Sequence, residues 1–214
     1  SGVKDLLSEV QDPQVTYPDY YQVPFHAYDQ GNLCWQAAFE GVPATQAMTL
    51  RVWPQDNLTP DVAEKRLRNS FHEILGQYSP PNPQDILDLG CSVGISTLTL
   101  HRYYAEQSQN PLRTVGLDLS PYMLAVAKKL DEKGEIAHWK HAQAENTGFP
   151  DNSFDVVTLQ FVTHELPRTA TIAIFKEAFN TVRQVTAWDR RAIKSTKLLE
   201  VDDLDGTQGA TLCD

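Results

Sequence analysis

The sequence predicts an α/β domain with a mostly parallel sheet. Short apolar runs rich in branched residues alternate with stretches of helical spacing between residues 84 and 183, and that alternation implies parallel strands joined by right-handed crossovers. The clearest unit is QDILDLGCSVGISTLT, residues 84–99. Ile86, Leu87 and Leu89 form a buried-strand run, residues 90–94 a turn of small side chains, and Ile95 opens a helix. At 214 residues the chain is long enough for one such domain with an N-terminal extension.

Composition narrows the function. A formal charge of −10, from 28 acids against 18 bases, argues against a nucleic-acid backbone as partner and favours a small-molecule substrate. Cys34, Cys91 and Cys213 are odd in number and far apart, which suits a reducing compartment and gives no metal spacing. His138 and His141 flank Trp139 and Lys140 and read as surface residues, so no metal is expected. No apolar run approaches a membrane span and no signal pattern precedes Asp5, so a soluble protein is expected. The first residues, SGV, carry no methionine and read as processed or trimmed. A cytoplasmic location is the expectation, with a plastid after loss of a targeting peptide as the alternative; oligomeric state is left open.

Residues 1–32 are rich in tyrosine and proline: Pro13, Pro18 and Pro24 forbid a continuous helix, yet Tyr17, Tyr20, Tyr21, Phe25 and Tyr28 are too aromatic for a disordered tail. An ordered arm is expected, either walling a substrate pocket or packing on an apolar helix face. Residues 33–50 have helical spacing that Gly41 and Pro43 should split. Thr59-Pro60 starts a second helix running to Gly76, with Val62, Leu67, Phe71, Ile74 and Leu75 as its apolar stripe. Residues 1–78 thus form an N-terminal arm with helices, residues 84–183 the main domain, and residues 184–214 a tail.

Within the main domain the expected order is strand to Leu89, helix 95–104, strand 114–119, helix 122–129 capped by Ser120, a weak strand 136–140, a strong strand 154–161 and a helix 168–182. The glycines stand as Gly90-x-x-x-Gly94, and Ser92 occupies the place where a dinucleotide site needs a second glycine, which disfavours a pyrophosphate. Asp88, two residues before Gly90, would repel phosphate and attract an ammonium group. Asp118 lies 28 residues after Gly90 at the next strand end, where an acid can accept both ribose hydroxyls of an adenosine.

These residues carry a resemblance. D-x-G-x-x-x-G at Asp88–Gly94, Asp118, and QAENTGFPDNSFDVV at residues 143–157 resemble the motifs of class I S-adenosylmethionine-dependent methyltransferases, of the type 11 subgroup. The aromatic arm is similar to that of cyanobacterial and plant-plastid members. The resemblance covers about half the chain. It implies a Rossmann-like class I methyltransferase fold, S-adenosyl-L-methionine as cofactor, and cofactor contacts from Asp88, Gly90, Cys91, Ser92, Gly94, Asp118, Leu119, Gln143, Ala144 and Gln160. In the family the position of Gln143 is usually an aspartate that receives the adenine amino group, and a glutamine carbonyl can still accept it. Ala144 would give its N–H to the ring. The implied chemistry is methyl transfer to a small molecule by in-line displacement. His164 is the candidate base, against a reading in which it only bonds Glu165 or a carbonyl; His26 and Tyr28 follow.

The pattern departs after Arg183. Residues 184–214 lack the family's proline-glycine turn and strand formers, so the domain is expected to lack its usual C-terminal strands and to be marginally stable. The competing reading is a catalytically impaired adenosyl-ligand or interaction module, with a nicotinamide oxidoreductase a distant third.

Overall fold

The structure, a computed structural model, describes residues 2–183 apart from residue 109. Expectations about the tail lie outside the described residues. Four strands, β1 (Asp85–Leu89), β2 (Arg113–Asp118), β3 (His138–His141) and β4 (Val156–Leu159), form one parallel sheet in the order β3-β2-β1-β4. The helices are α1 (Leu7–Val10), α2 (Trp35–Leu50), α3 (Pro60–Tyr78), α4 (Ile95–Ala105), α5 (Pro121–Leu130) and α6 (Arg168–Thr181). This is the Rossmann-like α/β arrangement.

Register gathers the site. Leu89 stands opposite Leu117 on one side and Leu159 on the other, so the residues that follow, Gly90, Asp118 and Gln160, emerge together at the carboxyl edge of the sheet. Alternation along β1 sends Leu87 and Leu89 to a cluster with Val115, Leu117, Phe154 and Ile174 of α6, and Ile86 to one with Leu100 and Tyr104 of α4. Both faces are covered, which is why β1 reads as a continuous apolar run. Each fully buried Leu or Ile contributes about 1.5–3 kcal/mol of transfer free energy. Ser120 caps α5 as expected, accepting the Met123 N–H at 3.3 Å.

Several details differ from expectation, each for a physical reason. Pro43 does not split α2, which runs unbroken through it. Pro43 and Phe39, whose carbonyl loses its N–H partner, both lie on the exposed side of the helix, where water can satisfy that oxygen. On α3 the proposed stripe holds only in part: Leu67, Phe71 and Leu75 are half-buried, but Val62 and Ile74 are 51% and 59% exposed, and the fully buried side chains are Ala63, Arg68 and His72. That helix lies between α2 and α4, and helical spacing alone does not say which face two neighbours cover. The strand expected at residues 154–161 covers only Val156–Leu159, and Phe161, at φ +60°, turns half-exposed out of the sheet. His138 is exposed as expected, but His141 is buried. Residues three apart on a strand point to opposite faces.

The arm is ordered. Its first turns bury Leu6 and Val10 in a cluster with Leu124 and Trp139. Further along, the Asp12 N–H donates to His141 Nδ1 at 3.0 Å, and the Gln143 amide donates to the Thr16 carbonyl at 2.7 Å.

Candidate functional site

A cavity of about 430 Å³ opens at the carboxyl edge of the sheet, a volume in the range of small-molecule sites. Its floor is the turn after β1, with Gly90, Cys91, Ser92 and Val93, and the ends of β2 and β4, with Asp118, Leu119 and Gln160. Tyr20, Tyr21, His26 and Tyr28 of the arm form its opposite wall, and α2 and α3 contribute Ala37 and Arg68. The arm therefore does two things: its start packs in the core, and residues 20–28 line the cavity.

The glycines are required here. Gly90 has φ +69°, and a side chain there would drive into Val162; Gly94, at φ +81°, caps α4 where a Cβ would come within 2.6 Å of Trp139. Both conformations favour glycine.

Asp118 organises the floor. Its carboxylate accepts the backbone N–H groups of Ser92 at 2.7 Å and Ser120 at 2.8 Å. Burial nevertheless pushes its pKa up to about 6, opposed by those two N–H groups and reinforced by the negative charges of Glu165 and Asp88. Each oxygen keeps a second lone pair for a hydroxyl donor. Asp88 does not line the cavity. It is fully buried beneath the turn, where the hydroxyls of Ser96, Thr97 and Thr158 donate to it at 2.6, 2.8 and 2.8 Å, and burial pushes its carboxyl above the usual range. Its place is that of a brace for the glycine turn, not of a ligand-facing acid.

The other sequence-proposed residues divide. Gly90, Cys91, Ser92, Asp118, Leu119, Ala144 and Gln160 line the cavity; Gly94 supports it from behind; Gln143 is held outside it by Thr16. Burial pushes the Cys91 thiol far up, which suits packing rather than nucleophilic work. His164 is 62% exposed and outside the lining, with Glu165 3.6 Å away. Glu165 itself lines the cavity and meets His26 Nε2 at 3.2 Å. Sequence reasoning missed Glu165, Glu145 and Arg68. Glu145 accepts the Tyr20 hydroxyl, and Arg68 sits in a run, KRLRNSF, that reads as solvated helix. Tyr21 is half-buried, and its phenol pKa is pushed far up, first by burial and then by Asp118 and Glu165; it stays protonated and keeps its O–H as a donor.

Known proteins share this architecture. By architecture the structure has the class I methyltransferase fold: a putative S-adenosyl-L-methionine-dependent methyltransferase of Methanococcus maripaludis superposes with a TM-score of 0.50 over 80% of this chain and 74% of its own, at 14% identity. Residues 86–184 match the family described as methyltransferase domain. Demethylmenaquinone methyltransferases of Lactiplantibacillus plantarum and Bacillus licheniformis are 35% identical over 101 residues and 32% identical over 117. Those alignments cover 46% and 55% of this chain but 41% and 49% of the relatives, so the chain spans less than half of their length. The matched segment is thus similar to methyltransferase domains, and the fold it shares is that of an S-adenosyl-L-methionine-dependent one. The residues present fit that cofactor, with a glycine turn that excludes any side chain and a buried acid with free lone pairs. Among the described residues no helix is long and apolar enough to cross a membrane.

Proposed function

We propose that this chain transfers a methyl group from S-adenosyl-L-methionine to a small organic acceptor held between the cofactor and the aromatic arm. The observation that carries the reading is the joining, in one cavity, of Gly90 and Asp118 with Tyr20, Tyr21, His26 and Tyr28. When bound, the cofactor supplies an electrophilic methyl on sulfur. Asp118 accepts the ribose hydroxyls, and the Ala144 N–H and Leu119 border the adenine. The Tyr21 phenol donates from the acceptor side. The arm excludes water and fixes the acceptor in line, where orientation accounts for much of the rate. Where the acceptor must lose a proton, His26 is the better-placed base: it lines the cavity with Glu165 beside it, whereas His164 is not part of the lining.

The relatives' names, which give demethylmenaquinone as the molecule methylated, and the aromatic wall both support a ring-bearing organic acceptor. Residues 1–78 serve as the acceptor side and residues 84–183 as the cofactor side of one working unit, which we place in the cytoplasm. Incubation with methyl-labelled S-adenosyl-L-methionine and a small-molecule extract tests this. Label appearing in the small-molecule fraction supports the reading, and label confined to protein or nucleic acid would overturn the choice of acceptor.

A further inference from the structure

We propose that Arg68 and Gln160 together receive the carboxylate at the amino-acid end of S-adenosyl-L-methionine; this deepens the cofactor reading above and rests on it. Arg68 is 5% exposed and lines the cavity. Its Nη1 donates to Gln160 Oε1 at 2.8 Å, yet Arg68 Nε and the Gln160 amide nitrogen are both buried without a partner. Both orphans are donors only, so the group they are built to meet is an acceptor and not an ammonium. A buried guanidinium without an anion is costly. Among the described residues no carboxylate lies within ion-pair distance of it. Asp88 and, less, Glu64 lend it a favourable charge, but neither is an ion-pair partner, and the oxygens of Asp88 are engaged by the hydroxyls of Ser96, Thr97 and Thr158. Phe161 lies 5.6 Å from the guanidinium carbon and shields it.

Position selects the ligand's carboxylate over other anions. The sheet order β3-β2-β1-β4 puts Ala144 and Asp118 on one side of Gly90 and Gln160 on the other. From the end of β2 to the end of β4 is two strand spacings, about 9–10 Å. A molecule whose ribose lies at Asp118 and whose chain crosses Gly90 brings its far end to Arg68. That end must carry acceptors, and in S-adenosyl-L-methionine it carries a carboxylate, which two donors can bracket with charge assistance.

An anionic acceptor molecule would offer the same chemistry, so the test compares two nucleosides by calorimetry. S-adenosylhomocysteine has the amino-acid end and 5′-methylthioadenosine lacks it. Wild-type protein should prefer S-adenosylhomocysteine. Arg68→Met should weaken it by about tenfold or more while changing 5′-methylthioadenosine by less than about twofold, and Arg68→Lys should recover part of the loss. Equal loss of both nucleosides would make Arg68 a wall of the fold, and no loss of either would assign the pair to a different anion; each overturns the inference. If Arg68→Met fails to fold by urea titration, Gln160→Ala decides through the same ratio. Wild-type protein that binds neither nucleoside would instead overturn the cofactor reading itself.

Discussion

The Asp118 carboxylate accepts the Ser92 backbone N–H at 2.7 Å, across 26 positions of chain. The acid at the end of one strand thereby fixes the turn at the end of its neighbour, so the two sequence motifs are one object in space. Asp118→Ala removes both that brace and the acceptor for the ribose hydroxyls. Calorimetric affinity for S-adenosylhomocysteine should fall by about tenfold or more, and an unchanged affinity in a folded variant would remove Asp118 from the cofactor site.

The same acid sets a pH dependence. Hydroxyl donors bind the ionised carboxylate, whose pKa in the free protein is raised to about 6. Cofactor affinity should therefore rise as pH increases through about 6 and level off above it, with proton release on binding in that window. In Asp118→Asn the rise should vanish; a rise that persists there belongs to another group.

His26 and His164 compete for one carboxylate, Glu165, at 3.2 and 3.6 Å. If deprotonation limits turnover, His26→Ala should lower kcat by about 10²-fold or more, the usual worth of a positioned base. His164→Ala should cost far less. The reverse ranking would return the base to His164.

His141 is an arm latch with a sign. Nδ1 accepts the Asp12 N–H and Nε2 donates to the Leu119 carbonyl, so the bonded form is neutral, and burial holds its pKa below 6.5. The unfolded chain binds this proton more readily than the native one, so its contribution is complete above pH 6.5 and lost as pH falls below it. Limited proteolysis near Asp12 should accelerate as the medium is acidified. A cleavage rate in His141→Gln that retains the wild-type pH profile would contradict the assignment.

Phe154 is fully buried and meets Phe149 edge-on at 4.9 Å. Phe154→Ala should destabilise the domain by about 3–5 kcal/mol, read from urea midpoints. A loss below about 1 kcal/mol would mean that the cluster collapses onto the space, as some cores do.

Where the sequence was legible, one force dominated. The branched run around Val156, the cap at Ser120 and the glycines at 90 and 94 each have one physical solution, and the structure has it. Arg68 was illegible because nothing local distinguishes an arginine that Gln160 and Phe161 meet from one that water surrounds. Gln143 kept its place in the motif, yet its amide turned to Thr16 of the arm, a contact between residues 127 positions apart that no local pattern encodes. His141 failed in part for the same reason, since Asp12, which donates to its ring, lies on the arm 129 positions away.

Ser120 joins three parts of the chain: its N–H donates to Asp118 at 2.8 Å, its hydroxyl accepts from Met123, and that hydroxyl donates to the Asn32 carbonyl at 2.7 Å. For protein engineering this fixes where a chimera can be joined. A junction drawn between arm and domain at residue 30 keeps Asn32 with Ser120 unless the incoming arm overruns that point. Transplanting residues 2–30 alone leaves the Asn32 anchor native and carries Tyr20, Tyr21, His26 and Tyr28 across as a cassette. On the proposed function such a graft should carry acceptor preference with it, provided that the recipient keeps the core contacts of Leu6 and Val10 and the bond from Asp12 to His141.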